Sequence, residues 1–140
     1  VVGFIAGLLT PIARRLFPEI PESSPAIGDI AMNFTANAFG LSNAATPMGL
    51  KAMEELQKLN KEKKSASNAM CTLLAMNTAG FQIVPATVIA VLASFGAKNP
   101  TEIVLPTLIV TTFAFVSALV IVKILEKLTP PQKETGGEEC

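Results

Sequence analysis

The amino-acid sequence predicts an all-α, polytopic membrane protein with two broken or re-entrant helices and one continuous transmembrane helix. Half of the 140 residues are hydrophobic and only 16% are charged, with a mean hydropathy of +0.49, whereas soluble domains carry about a quarter charged residues. The charges are segregated as well: none falls in 1–13, 30–50, 65–97 or 103–122. Two of these uncharged runs are interrupted by Gly, Pro and carboxamide residues, at 40–47 and 77–85. About 20 apolar residues span a hydrocarbon core, and irregular backbone at that depth persists only where protein or a water-filled cavity satisfies its polar groups.

Val1 to Leu9 reads as the tail of a helix, so the domain is expected to be incomplete at its N-terminus. Thr10-Pro11 and the pair Arg14-Arg15 follow. Pro18, Pro21 and Pro25 then predict an extended linker at the membrane surface, because proline lacks a donor and restricts the residue before it. A helix should start near Ala26 and stop near Gly40, with Asn33, Ala36, Asn37 and Gly40 on one face and Phe34, Ala38 and Leu41 on another. Ser42 or Asn43 can cap the next helix, with Pro47 in its first turns. From Met48 to Leu59 the pattern is amphipathic, with Leu50, Met53, Leu56 and Leu59 among Lys51, Glu54, Glu55 and Lys58. This half is expected to leave the membrane and run along its surface.

Lys51, Lys58, Lys61, Lys63 and Lys64 are five of the eleven basic residues, so the 51–64 loop should be cytoplasmic. The C-terminal tail, with Lys123, Lys127 and Lys133, should lie on the same side, and residues 129–140 read as a disordered polar tail. The 65–97 run is longer than one crossing needs and reads as a second broken helix, with Asn68, Cys71, Thr72, Ala75 and Thr78 along one face of its first half. Cys71 is expected to be a small buried hydrophobe, far from Cys140 and not disulfide-bonded to it. Ile103–Leu125 is the continuous membrane helix, with a stripe of Thr107, Thr111, Ala114 and Ala118 suited to close packing.

The paired breaks carry the functional reading. Half-helix ends meeting near a bilayer midplane bind polar solutes or cations in secondary transporters. Asn33, Asn37, Asn43, Thr46, Asn77 and Gln82 are therefore the candidate lining of a polar cavity for a small, neutral, hydrogen-bonding solute. The same residues read structurally as interhelical glue, each contact contributing about 0.6–2 kcal/mol. No histidine is present and Asp29, Glu102 and Glu126 stand apart, so no catalytic residue, metal site or cofactor is expected. Zero net charge argues against a nucleic-acid partner; the bilayer is the expected one.

Asn33-Phe-Thr-Ala-Asn-Ala-Phe-Gly-Leu-Ser-Asn-Ala-Ala-Thr-Pro-Met-Gly-Leu-Lys-Ala-Met-Glu-Glu-Leu-Gln57 closely resembles the signature of the spore maturation protein A family. Ser67–Asn77 and Pro85–Ile89 continue the resemblance, which covers nearly all of 10–125. It implies a gate-type, nucleoside-recognition membrane domain over 1–128 in a multi-pass plasma-membrane protein. It further implies a role in endospore maturation and spore core dehydration beside a companion, spore maturation protein B. Relatives in bacteria that do not sporulate imply instead a nucleoside or small-solute transporter. A transport or permeation subunit and a non-transporting scaffold for cortex or envelope proteins both fit these residues.

Overall fold

The computed structural model is all-helical with no strand among the described residues, which hold helical residues 13–16, five further α-helices and one 3-10 helix. It describes Pro11, residues 13–21 and residues 23–128, Ser42 by its backbone alone. The sequence expectations for 1–9 and for the 129–140 tail lie outside the described residues.

Helix α1 (Ala26–Ala38) begins where the proline-rich stretch ends. That stretch is not an extended linker. Ile20 N–H bonds to Phe17 O and Ser24 N–H to Pro21 O, making two turns. Phe17 and Ile20 are buried in the core, and burying two large apolar side chains outweighs the extended preference of an isolated X-Pro segment.

The chain reverses after α1. Leu41 N–H bonds to Ala36 O and Gly40 N–H to Asn37 O, the paired bonds of a Schellman turn, and Gly40 holds the required left-handed φ of 63°. Helix α2 (Ser42–Leu59) then starts with Leu41 as its N-cap and no side-chain cap bond, so neither Ser42 nor Asn43 caps it. Instead, Leu41 O accepts from the amides of Ala44 and Ala45.

Helices α1 and α2 form an antiparallel hairpin, tied by Asn33 to Ala45 O and by Asp29 to Lys51. The amphipathic half of α2 packs on α1. Ala52 and Leu56 are buried with Ile27 and Ile30, while Leu50 and Leu59 stay exposed. Only one side of its apolar pattern is needed by the core.

Asn60 organises the following loop by donating to Glu62 O and Ser65 O. Ser67 caps helix α3 (Asn68–Ala79) by accepting from Met70 N–H. This helix turns Ala69, Thr72, Leu73 and Met76 inward. Cys71 is consequently exposed, contrary to the buried position expected from its apolar neighbourhood, because it projects from the opposite side to that inward face.

After a non-helical stretch at 80–85, helix α4 (Ala86–Ser94) is followed by the 3-10 turn Pro100–Ile103 and helix α5 (Val104–Leu128). The span Pro100–Leu128 is long and apolar enough to cross a membrane, and no other described helix meets that test. Its outward residues, including Ile109, Phe113, Val120 and Ile124, are exposed apolar side chains. Thr107, Thr111, Ala114 and Ala118 occupy the half-buried inward side. Phe34, Phe81 and Phe115 pack with centroids 5.4–5.6 Å apart and join α1, the second break and α5.

Candidate functional site: two helix breaks in contact

The tip of the α1–α2 hairpin rests against the break between α3 and α4. Ala38 O belongs to the last turn of α1, where carbonyls lack intrahelical donors, and it accepts from Ile83 N–H at 2.7 Å and Val84 N–H at 3.1 Å. Gly40 O accepts from Thr87 Oγ1 at 2.6 Å. A side chain at Gly40 would not fit: its Cβ would lie 2.8 Å from Ala86 N and 2.9 Å from Val84 O. On the other side, Thr111 of α5 accepts from Gln82 N–H and donates to Gln82 O, each at 3.2 Å. The non-helical backbone at 82–84 thus finds its partners within the protein.

Three of the six predicted residues come together beside this junction. Asn33, buried on α1, donates to Ala45 O at 2.8 Å. One turn on, Asn37 donates to Asn77 Oδ1 at 2.8 Å, with a longer 3.5 Å contact to Asn33 Oδ1. Gly49 lies against the cluster, since a Cβ there would approach Asn33 Nδ2 to 2.8 Å and Asn77 Nδ2 to 3.6 Å. Gln82 joins the junction through its main chain. Asn43 and Thr46, in the first turns of α2, are exposed.

Several partners escape sequence reasoning. Thr87 and Thr111 had signals only as a helix start and a packing stripe, because nothing local says which carbonyl they meet. Gly49 carried no signal beyond its identity. At the opposite end of the bundle, Thr72 donates to Glu126 at 2.6 Å, while Lys123 donates to Glu126 at 2.8 Å and to Leu16 O at 2.9 Å. Asn68 reaches Glu19 at 3.4 Å. These contacts gather residues 16–19, the start of α3 and the end of α5 at one basic end. Further along α2, Glu55 accepts a 2.6 Å hydrogen bond from Lys58 and holds that ammonium above the usual lysine pKa.

An apolar cavity of about 50 Å³ lies among Ala13, Leu16, Ile30, Ala31, Phe34, Met76 and Phe115. The asparagine cluster does not line it. The asparagines instead offer carboxamide donors and acceptors between helices, and hydrogen bonding is the chemistry this arrangement can perform.

A helix long and apolar enough to cross a membrane, with its outer side chains exposed, fits a helical membrane protein. Its sequence matches the family described as Gate, nucleoside recognition, over residues 1–130, and the chain belongs to that family. It is 47% identical to spore maturation protein A of Bacillus subtilis (strain 168) over 121 residues, which are 86% of this chain and 62% of that relative. The chain therefore spans about three-fifths of the length of the curated relative it matches. No solved structure matches.

Proposed function

We propose that this chain is the gate-type part of a multi-pass plasma-membrane protein of endospore maturation, acting as a transport or permeation subunit that contributes to spore core dehydration with a spore maturation protein B-like companion. The observation that supports the transport reading is the contact between the two helix breaks, which in this reading lies at membrane depth. With α5 as a ruler at 1.5 Å per residue, Thr111 lies about 10 Å from the start of the helix and about 22 Å from Glu126. The contacts of Thr111 with Gln82 put the break on that level. Helices α3 and α4 together add about 31 Å of rise, close to the roughly 30 Å of a hydrocarbon core. In this reading they make one broken crossing antiparallel to α5, and the α1–α2 hairpin enters from the basic end and returns to it. The positive-inside bias makes that basic end, with the 51–64 loop and the tail, cytoplasmic. Asn33, Asn37 and Asn77, with the exposed Asn43 and Thr46 and the adjacent Gln82, then form a neutral polar route for a small hydrogen-bonding solute such as a nucleoside.

The test is co-reconstitution with the companion membrane protein and uptake of radiolabelled nucleosides and small spore solutes. Asn37→Ala and Asn77→Ala should lower the flux of at least one solute. Unchanged flux of every solute in both variants refutes the transport reading.

One observation favours a second reading, a non-transporting scaffold: the asparagines bond to one another and to Ala45 O, as interhelical glue would. In that case an Asn33→Ala, Asn37→Ala double variant loses its native complex on purification. A normal complex with altered flux would count for transport.

A further inference from the structure

One ridge of α5 faces outward and ends in a cation. Phe113, Val116, Val120, Ile124 and Lys127 follow one another at spacings of three and four, so they stack on one face, and all five are exposed. The apolar part, from Phe113 to Ile124, rises about 16 Å, half of the roughly 30 Å of a hydrocarbon core. From Val104 to Lys127 the rise is about 34 Å, which brings the Lys127 ammonium to headgroup level at the basic end of the bundle. A second cation stands beside it. Lys123, one turn before Lys127, donates to Leu16 O at 2.9 Å and so brings the chain at Arg15 against the end of α5. Arg15 is exposed, and among the described residues neither Arg15 nor Lys127 has a hydrogen bond or ion pair. The acids at this end are engaged elsewhere: Glu126 accepts from Thr72 and Lys123, and Glu19 from Asn68.

The geometry points to a site for one anionic phospholipid of the cytoplasmic leaflet, its phosphate held by Arg15 and Lys127 and an acyl chain laid along the ridge from Ile124 to Phe113. The guanidinium offers a fork that matches two phosphate oxygens, and the ammonium adds a point charge on the other side. Charge complementarity chooses this occupant. A zwitterionic lipid carries its own ammonium, which competes for the same phosphate. A second copy packed in parallel on this ridge would bring like cations to the same level. The site rests on α5 crossing the bilayer, as read above, and does not require that the protein transport a solute.

Native mass spectrometry of the full chain, released from nanodiscs with equal phosphatidylglycerol and phosphatidylcholine content, reads which lipid stays bound. Wild-type protein should retain phosphatidylglycerol in preference to phosphatidylcholine. Arg15→Gln and Lys127→Gln should each lower that preference about fivefold, and the double variant should erase it. Both side chains are exposed and unbonded, so neither change threatens the fold. The control is a Lys61→Gln, Lys64→Gln double variant, which removes the same charge from exposed positions of the 51–64 loop and should keep the preference. Equal retention of both lipids by the wild type overturns the site. A loss in the loop variant as large as that in the Arg15 and Lys127 pair overturns it as well, because the effect is then the overall charge of the basic end. Displacement of the lipid by millimolar glycerol phosphate would assign the two cations to a soluble anion and overturn it too. Loss of the preference in a chain that still inserts leaves the bilayer crossing intact, and a retained preference with no solute flux refutes transport alone.

Discussion

Replacing Gly40 by alanine should uncouple the two helix breaks, and the structure sets the size of the effect. Gly40 has φ of 63°, a conformation that costs a non-glycine residue about 1–2 kcal/mol. The added Cβ would also meet the backbone of Val84, Pro85 and Ala86 at 2.8–3.0 Å, atoms that cannot step aside as a flexible side chain can. Relieving the clash means moving 83–87 away, which sacrifices the bonds of Ile83 and Val84 to Ala38 O and of Thr87 to Gly40 O. At about 0.5–1.5 kcal/mol each, the three bonds bring the expected loss to roughly 3–6 kcal/mol. Gly80→Ala is the matched control: φ is again 63°, but the nearest atoms stand at 3.9 and 4.0 Å, so only the conformational cost of about 1–2 kcal/mol remains. The assay is reversible unfolding in mixed micelles, followed by circular dichroism, for the wild type and both variants. A Gly40→Ala loss no larger than that of Gly80→Ala would refute the argument that the breaks are in contact.

Other perturbations probe the same geometry. Thr111→Val strips the half-buried Gln82 N–H and C=O of their partner and should destabilise by about 1–3 kcal/mol in the same assay, two hydrogen bonds at about 0.5–1.5 kcal/mol each. Asn37→Ala and Asn77→Ala should each cost about 0.6–2 kcal/mol and be markedly non-additive in a double-mutant cycle; strict additivity would deny the bond between them. Gly49→Ala should displace the Asn33 amide from Ala45 O and cost about 1–3 kcal/mol, an effect that disappears when Asn33 is already alanine. In a background with Cys71 and Cys140 replaced, Glu62→Cys should react with an impermeant maleimide from the cytoplasmic face and Asn99→Cys from the opposite one.

Much of the helical layout was legible because its causes are local. The start of α1 follows from Pro25, the reversal from Gly40, and the long apolar α5 from its unbroken run. Asn33 and Asn37 could be placed on one face from their spacing of four. Tertiary competition hid the rest. The Pro18–Pro25 stretch reads as an extended linker, but Phe17 and Ile20 find a core, and which side of the charged half of α2 meets protein is set by Ala52 and Leu56 packing with Ile27 and Ile30. Cys71 looked buried because an uncharged run does not say which of its sides meets protein. Asn77 could be suspected as the counterpart of the first break, but its bond to Asn37 spans forty residues of chain, and no periodicity encodes it.

The contact between the breaks is tested most directly by amide hydrogen exchange at Ile83 and Val84 in the full chain in nanodiscs. Both amides lie outside helices and donate to Ala38 O. They should be strongly protected in the wild type, and in Gly40→Ala they should lose that protection while the amides of α5 keep theirs. Fast exchange at Ile83 and Val84 in the wild type, or protection that survives Gly40→Ala unchanged, would contradict the account.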